Sequence, residues 1–319
     1  MRDASPSTDR AWWAGRADAT PPKRFVGTTS SSCHVATRDG TRVAVDVYLP
    51  ATAPRSERLP TILSITPYFR ALEFRSPIFA QLVKKLAIVG SAEFADQITP
   101  YGYAHVVMEQ RGAGASFGRR QSVAMPDAVR DGCDILDWIV AQSWSNGRVG
   151  ATGISAVGMT AEWLATAGHP ALRAIAPRFT TFDIFASTHP GGLTASRFMT
   201  DVGALLRAMD GNRPYDMPPN AVGRWLMRLM VKGIRRVDED YDGRLMAAAV
   251  RDHEKNVHPE KDLIGITYRD DLLPQSAGTA TVDTASPHTH ADAMRASGVA
   301  VYGFAAWHDG AFIREMVSL

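Results

Sequence analysis

Apolar residues change their spacing several times along the 319-residue chain, and each change predicts an element. In "TRVAVDVYLP", Val43, Val45, Val47 and Leu49 alternate with other positions, which predicts a half-buried strand ended by Pro50. "LPTILSITPY" and "AHVVMEQ" are more evenly apolar, as strands covered on both faces are. "MPDAVRDGCDILDWIVAQSW" sets Val129, Cys133, Leu136 and Val140 at helical spacing, with Asp127 as the expected N-cap. "GRVGATGIS" then predicts a strand, "AVGMTAEWLATAG" a helix and "ALRAIAP" a strand, an alternation that implies a mostly parallel sheet. From 181 to 285 no strand is expected. That stretch holds helical runs such as "NAVGRWLMRLMVKGIRR" and "YDGRLMAAAVRDHEKN" between Gly/Pro breaks, the pattern of a helical cap over the strand ends. A strand returns at 299–306. The expected organisation is therefore a loosely ordered lead-in at 1–34, the first part of an α/β core at 35–180, a helical cap at 181–290, and a return strand with the start of a helix at 291–319.

Composition adds mainly exclusions. With 45% hydrophobic and 21% charged residues and a net charge of +2, nothing points to a nucleic-acid partner. Two distant thiols, Cys33 and Cys133, fit a reduced, cytoplasmic protein better than a disulfide framework. No apolar run is long enough to span a membrane, so no membrane partner is expected, and the Arg-containing N-terminus lacks the apolar stretch of a secretory leader.

Four stretches could carry chemistry. "TGISAVG" puts Ser155 between Gly153 and Gly158 at a strand-to-helix junction. A nucleophile elbow needs small neighbours there, because the turn is strained and its backbone passes close to itself. The competing reading is a serine that merely caps the helix. The spacing, G-x-S-x-x-G, is one residue longer than the common esterase pattern. "RGAGASFG" places Gly112, Gly114 and Gly118 after a strand, but a dinucleotide site needs a helix to open at once, and a loop is expected instead. Tyr68 in "ITPYFR" follows a strand and could donate to an oxyanion, or could be a half-buried tyrosine with its hydroxyl satisfied. "SPHTHAD" groups His288, His290 and Asp292, yet reads as a linker without a full ligand set, so no metal or cofactor is expected. Trp138, Trp144 and Trp163 are expected in the core.

Taken in order, "RDGTRVAVDVYLP", "LPTILSITPYFR", "GYAHVVMEQRGAGASFG", "DAVRDGCDILDWIVAQSWSNGRVGATGISAVG", "HPALRAIAP" and "YGFAAWHDG" resemble the CocE/NonD hydrolase family. That family includes bacterial cocaine esterase, X-Pro dipeptidyl-peptidases and α-amino acid ester hydrolases. The resemblance spans nearly everything from residue 35 onward. It implies an α/β-hydrolase fold, a mostly parallel sheet with helices on both faces and a helical cap inserted after the sixth strand. It gives Ser155 the nucleophile position, Asp309 in "WHDG" the triad-acid position, and Tyr68 with the Ala156 N–H the oxyanion-hole positions. The implied substrate is a small-molecule ester or amide, X-Pro dipeptidyl amides included.

Two departures stand out. The family carries tyrosine after the nucleophile, where this chain has Ala156; the N–H remains but an aromatic wall is lost. The family's catalytic histidine follows the acid on a later loop, before a β-rich jelly roll. The last strand, that loop and the jelly roll are expected to be absent here, which would impair catalysis. Among the nine histidines, His308, His169 and His189 are nearest to the required role in sequence terms, and none fits it well. The alternative is a non-catalytic scaffold that binds acyl ligands or a partner.

Overall fold

The computed structural model describes residues 21–80, 91–121, 126–276, 278 and 280–308. Its strands are β1 (Thr28–Ala36), β2 (Arg42–Pro50), β3 (Leu59–Thr66), β4 (Leu72–Phe74), β5 (Ala104–Glu109), β6 (Ser145–Ile154), β7 (Leu172–Arg178), β8 (Val231–Ile234) and β9 (Ala300–Val301). The helices are α1 (Ser91–Ile98), α2 (Pro126–Val140), α3 (Ala156–Thr166), α4 (Ile184–Thr188), α5 (Ser196–Asp210), α6 (Ala221–Met230), α7 (Arg244–His253), α8 (Pro259–Leu263) and α9 (Ala291–Ser297).

Seven strands form the main sheet in the order β1-β2-β5-β3-β6-β7-β9. β1, β2 and β5 pair antiparallel, and β5, β3, β6, β7 and β9 run parallel. Period-two side-chain alternation sorts each strand between two layers. Val43, Val45, Val47, Leu63, Ile65, Val106, Met108 and Ile175 pack with Ile135, Leu136, Ile139 and Leu164 of α2 and α3. Tyr48 and Val107, on the other face, meet Ala95 of α1. This is an α/β-hydrolase sheet, and the long insertion leaves it after β7, the sixth strand of the main sheet in chain order.

Several elements depart from the sequence reading. β2 is not half-buried: Ala44, Asp46 and Tyr48 are as covered as the valines between them. Ala44 packs into a second cluster with Ala115, Met209, Ile234, Val237 and Met246, so the inserted segment covers the face expected to be wet. β1 starts at Thr28, earlier than the expected core boundary, because its whole length pairs with β2. The insertion contains a strand after all: β8 pairs antiparallel with β4. Asp127 lies in the first turn of α2 rather than at its cap, and pairs with Arg38 at 3.5 Å. Residues 287–297 are a 3₁₀ turn running into α9 rather than a linker.

α3 joins the two halves of the molecule. Leu164 and Ala165 enter the sheet core, while Met159 and Trp163 pack with Ile184, Met199, Leu263, Ile266 and Leu273 of the insertion. Trp138 and Trp144 form an edge-on pair against the sheet core, with centroids 6.5 Å apart.

Candidate active site

Ser155 is the single residue between β6 and α3. Its backbone, at φ 59° and ψ −128°, is in a region that side-chain-bearing residues rarely occupy, at a cost of about 1–3 kcal/mol. Three hydrogen bonds hold it there. Its N–H donates to the Arg178 carbonyl of β7 at 3.0 Å, and its carbonyl accepts from Gly158 and Met159 at 2.8 and 3.0 Å. A Cβ on Gly153 would overlap Val157, and one on Gly158 would lie 2.9 Å from Thr180 Cβ and 3.0 Å from the Gly153 carbonyl oxygen. The extra residue in G-x-S-x-x-G is thereby accounted for: Gly158 still meets the Gly153 carbonyl as the turn closes.

The Ser155 hydroxyl makes no capping bond to α3, which removes the helix-cap reading. Ala156 opens the helix, so its N–H is one of the first-turn donors that have no intrahelical acceptor. The positive end of the α3 dipole is at the same point.

Tyr68 stands two residues beyond β3, its N–H donating to Thr66 Oγ1 at 3.1 Å. Its hydroxyl lies beside the Ser155 side chain. Burial pushes the Tyr68 hydroxyl above its ordinary range, opposed by the neighbouring Ser155 hydroxyl and by the charge of Arg120. Arg120 is itself buried and fixed, Nη2 donating to Asp210 Oδ2 at 2.6 Å and Nε to the Val257 carbonyl at 2.8 Å. The structure thus brings together Ser155, Tyr68 and the Ala156 N–H. A hydroxyl at a half-buried turn, beside one side-chain donor and one backbone donor, can form and hold an oxyanion next to a new C–O bond.

His169, His189, His253 and His258 are engaged by groups other than Ser155. His169 follows the C-terminus of α3, an eleven-residue helix away from Ser155, and its partners are Asp137 and the Ala171 N–H. At about 1.5 Å per residue the separation is roughly 16 Å. His189 is buried behind α4, stacked on Phe185 and bonded to Thr188 Oγ1 at 3.0 Å. His253 bridges the Asp210 and Ser116 carbonyls, and His258 meets Asp210 Oδ2 at 2.9 Å. His308 is exposed. Asp309 lies outside the described residues. The strand leading toward it runs beside β7, with Tyr302 and Phe304 donating to the Ile175 and Pro177 carbonyls.

The glycine loop after β5 holds no helix through residue 121. Its backbone is folded around the buried Glu109 carboxylate, which accepts from the Ala115 N–H at 2.7 Å and the Arg70 N–H at 2.9 Å. Asp183, Asp283 and His288 offer three oxygen or nitrogen atoms close together, but Arg269 Nη1 lies 2.8 Å from Asp183 and 3.1 Å from Asp283, so the group is an ion-pair cluster. A cleft of about 480 Å³ lies between residues 72–80 and 235–241; neither Ser155 nor Tyr68 lines it.

Sequence reasoning missed Arg178, Thr180 and Arg120. Arg178, a polar residue closing an apolar strand after Pro177, was the visible signal for the first: its carbonyl anchors the elbow, and its guanidinium, held down in basicity by burial, sits 5.5 Å from the Phe94 ring centre. Thr180 and Arg120 carried no local signal, since their roles arise only from packing against Gly158 and the insertion.

Comparison with known proteins identifies the family. The model of the X-Pro dipeptidyl-peptidase (S15) family matches residues 39–319. A proposed serine esterase of Mycobacterium bovis is 36% identical across 97% of this chain and 52% of its own length. Cocaine esterase of Rhodococcus is 33% identical over 180 residues, 56% of this chain and 28% of its own. The solved structure of a CocE/NonD family hydrolase from Staphylococcus aureus shares the fold, with a TM-score of 0.51 at 14% identity over 97% of this chain and 54% of that one. The chain spans about half the length of the curated relatives it matches. Among the described residues no helix is long and apolar enough to cross a membrane. On the family match, which covers most of its length, the chain belongs to the X-Pro dipeptidyl-peptidase (S15) family.

Proposed function

We propose that Ser155 is the nucleophile of an acyl hydrolase and that Tyr68 and the Ala156 N–H form its oxyanion hole. The observation that carries this reading is the strained, uncapped Ser155 with Tyr68 beside it. Ser155 Oγ adds to the substrate carbonyl carbon, and the carbonyl oxygen takes the negative charge between the two donors. Expulsion of the alcohol or amine, which leaves with a proton, gives an acyl-serine. Water then releases the acid and restores the hydroxyl. Asp309 is proposed as the carboxylate that orients the histidine base. The substrate is a carboxylic ester or amide, X-Pro dipeptidyl amides included; the relative matched over nearly the whole chain bears a serine esterase name, which favours esters. The protein is proposed to work in the cytoplasm, where the two free, half-buried cysteines stay reduced.

A second reading is favoured by the histidine positions: His169 and His189 are engaged away from Ser155. On that reading the chain binds acyl groups with little turnover, since loss of a triad histidine lowers kcat by about 10⁶ in a serine protease. Treating the 319-residue chain with a fluorophosphonate and mapping the adduct separates the two. Labelling at Ser155, absent in Ser155→Ala, is the expected result; a folded protein that takes no label would leave only the binding role.

A further inference from the structure

Arg120 is buried although it sits in a loop. Its N–H donates to Asn256 Oδ1 at 2.6 Å, its Nε to the Val257 carbonyl at 2.8 Å and its Nη2 to Asp210 Oδ2 at 2.6 Å. His258 Nε2 meets the same carboxylate oxygen at 2.9 Å. Burial opposes the charge on Asp210, but the His258 and Arg120 contacts prevail and hold its carboxyl below the usual range, so Arg120 faces an anion. A buried arginine–carboxylate pair is often no more stabilising than apolar residues of the same volume, because both ions lose their hydration. Stability therefore gives little reason for this pair, and its position gives another.

The pair lies where the insertion meets the segment that carries Tyr68. Residues 66–70 are tied to the end of β5 on both sides of Tyr68: Gln110 N–H donates to the Thr66 carbonyl at 2.9 Å, and Arg70 N–H to Glu109 Oε1 at 2.9 Å. Phe69 packs on the cluster that joins Ala115 of the β5 turn to Ala208 and Met209 of α5. Asp210 is the next residue and ends that helix. Arg120 closes the same turn. Asn256 also donates to the Gly112 carbonyl at 2.7 Å, and a Cβ on Gly112 would fall 2.5 Å from the backbone nitrogen of Arg120. The last turn of α5 thus helps to seat Phe69 and fixes Arg120. Burial raises the adjacent Tyr68 phenol, and the charge of Arg120 acts against that rise.

We propose that Arg120 is a positioning residue of the oxyanion hole, its cation fixed by Asp210 so that the Tyr68 hydroxyl donates more strongly to an oxygen gaining negative charge. A nearby cation favours negative charge on the phenol oxygen, which makes its O–H a stronger donor. Arg120 touches no reacting atom in this role. The inference rests on Tyr68 being the oxyanion donor, and it gives the insertion a part in the chemistry: Asp210, Asn256 and Val257 place the charge.

The test replaces both charges at once, because Arg120→Met alone would leave Asp210 buried without its cation. Arg120→Met/Asp210→Asn removes the pair and keeps an acceptor for His258. The 319-residue chain is grown with fluorotyrosine, whose phenol titrates at lower pH than that of tyrosine, and its eight tyrosines are followed by fluorine NMR. The Tyr68 signal is the one missing from Tyr68→Phe. Its midpoint should rise by at least about half a pH unit in the double variant, and by less than half as much in Arg120→Lys, which keeps the charge. A merely structural role predicts the opposite sign, since a loosened turn would hydrate Tyr68 and undo the rise that burial causes. A midpoint that falls or stays in place in the folded double variant overturns the proposal. Arg120→Gln, which keeps a donor for Asp210 but no charge, should give the same upward shift and replaces the double variant if a melting curve shows that it is unfolded. At about pH 8 the charge-free variant should also take a fluorophosphonate at Ser155 about tenfold more slowly than the parent, less than the roughly 10²–10³ that loss of a whole donor costs. That slowing should vanish when Tyr68 is already phenylalanine, as for two groups that act through one; a slowing that persists there also overturns the proposal. A folded parent that takes no label would remove Ser155 as the nucleophile, and the fluorine shift would still decide whether Arg120 acts on Tyr68.

Discussion

Two glycine-containing turns follow parallel strands in this protein, and they use their backbones in opposite ways. After β6, the turn at Gly153–Gly158 leaves a hydroxyl and the Ala156 N–H directed to no structural partner of the helix. After β5, the turn at Gly112–Gly118 folds its polar groups inward: Ala115 N–H and Ser116 Oγ donate to Glu109, and Asn256 donates to the Gly112 carbonyl. A Cβ on Gly114 would overlap the Glu109 carboxylate, so this glycine makes room for a protein anion rather than for a ligand. Glycine spacing alone does not separate the two cases. What separates them is whether the donors of the turn already have acceptors within the fold.

The largest expected effect tests the inward turn. Arg70 is fully buried between Asp46 and Glu109, with Nη1 bonded to Asp46 and Nε 3.1 Å from Glu109. Removing one member of such a group leaves buried charge uncompensated, so Glu109→Ala should lower unfolding free energy by about 3–5 kcal/mol in urea titration. Gly114→Ala should also destabilise, since its φ of +56° adds strain to the overlap. Phosphonate labelling of the protein that remains folded should persist in both. Labelling lost from a folded Glu109→Ala would break the contrast, because the β5 turn would then serve the site directly.

At the elbow the expected effects fall on reactivity. Tyr68→Phe should slow Ser155 phosphonylation by about 10²–10³-fold, as loss of one oxyanion donor does. Its stability should change by no more than about 1.5 kcal/mol, the range of a single net hydrogen bond. Because burial raises the Tyr68 hydroxyl above its ordinary value of 10.0, the neutral donor dominates below that pH. The ratio of parent to Tyr68→Phe labelling rates should therefore stay flat from about pH 7 to 9. A ratio that falls toward one across that interval would show that the phenol ionises there and does not donate as proposed.

The sheet was legible in the sequence wherever burial and periodicity agreed. β3 and β5 are apolar because both faces are covered, and the strand–helix–strand run around Ser155 set the parallel order of β6 and β7. β2 was misread because the residue facing the second layer, Asp46, is a carboxylate, and its buried partner Arg70 is 24 residues away. Alternation reports the polarity of side chains, not whether a distant counter-ion lets a polar one be buried. β8 was missed for a related reason: four residues that directly follow α6 extend its apolar run, and only pairing with β4 makes them a strand. At the site, the residues of the elbow were readable from local chemistry, whereas Arg120 and Thr180 act through contacts that only the folded insertion and β7 create.

The smallest effect addresses whether the elbow is strained by its own backbone. Ser155→Ala and Ser155→Gly both remove the hydroxyl that lies beside Tyr68, so their difference isolates the φ 59°, ψ −128° conformation. Alanine keeps the Cβ that this region disfavours. Glycine relieves it, but its unfolded chain is more flexible by about 0.5–1 kcal/mol. If the strain lies near the middle of the range of about 1–3 kcal/mol, the glycine variant should be the more stable of the two by about 1 kcal/mol. For two ordinary turn or helix positions the order would be reversed. Thermal unfolding of the pair, compared at a common temperature, gives the sign. A more stable alanine variant would mean that the elbow holds Ser155 without strain, and that the difference between the two glycine turns lies only in their hydrogen bonds.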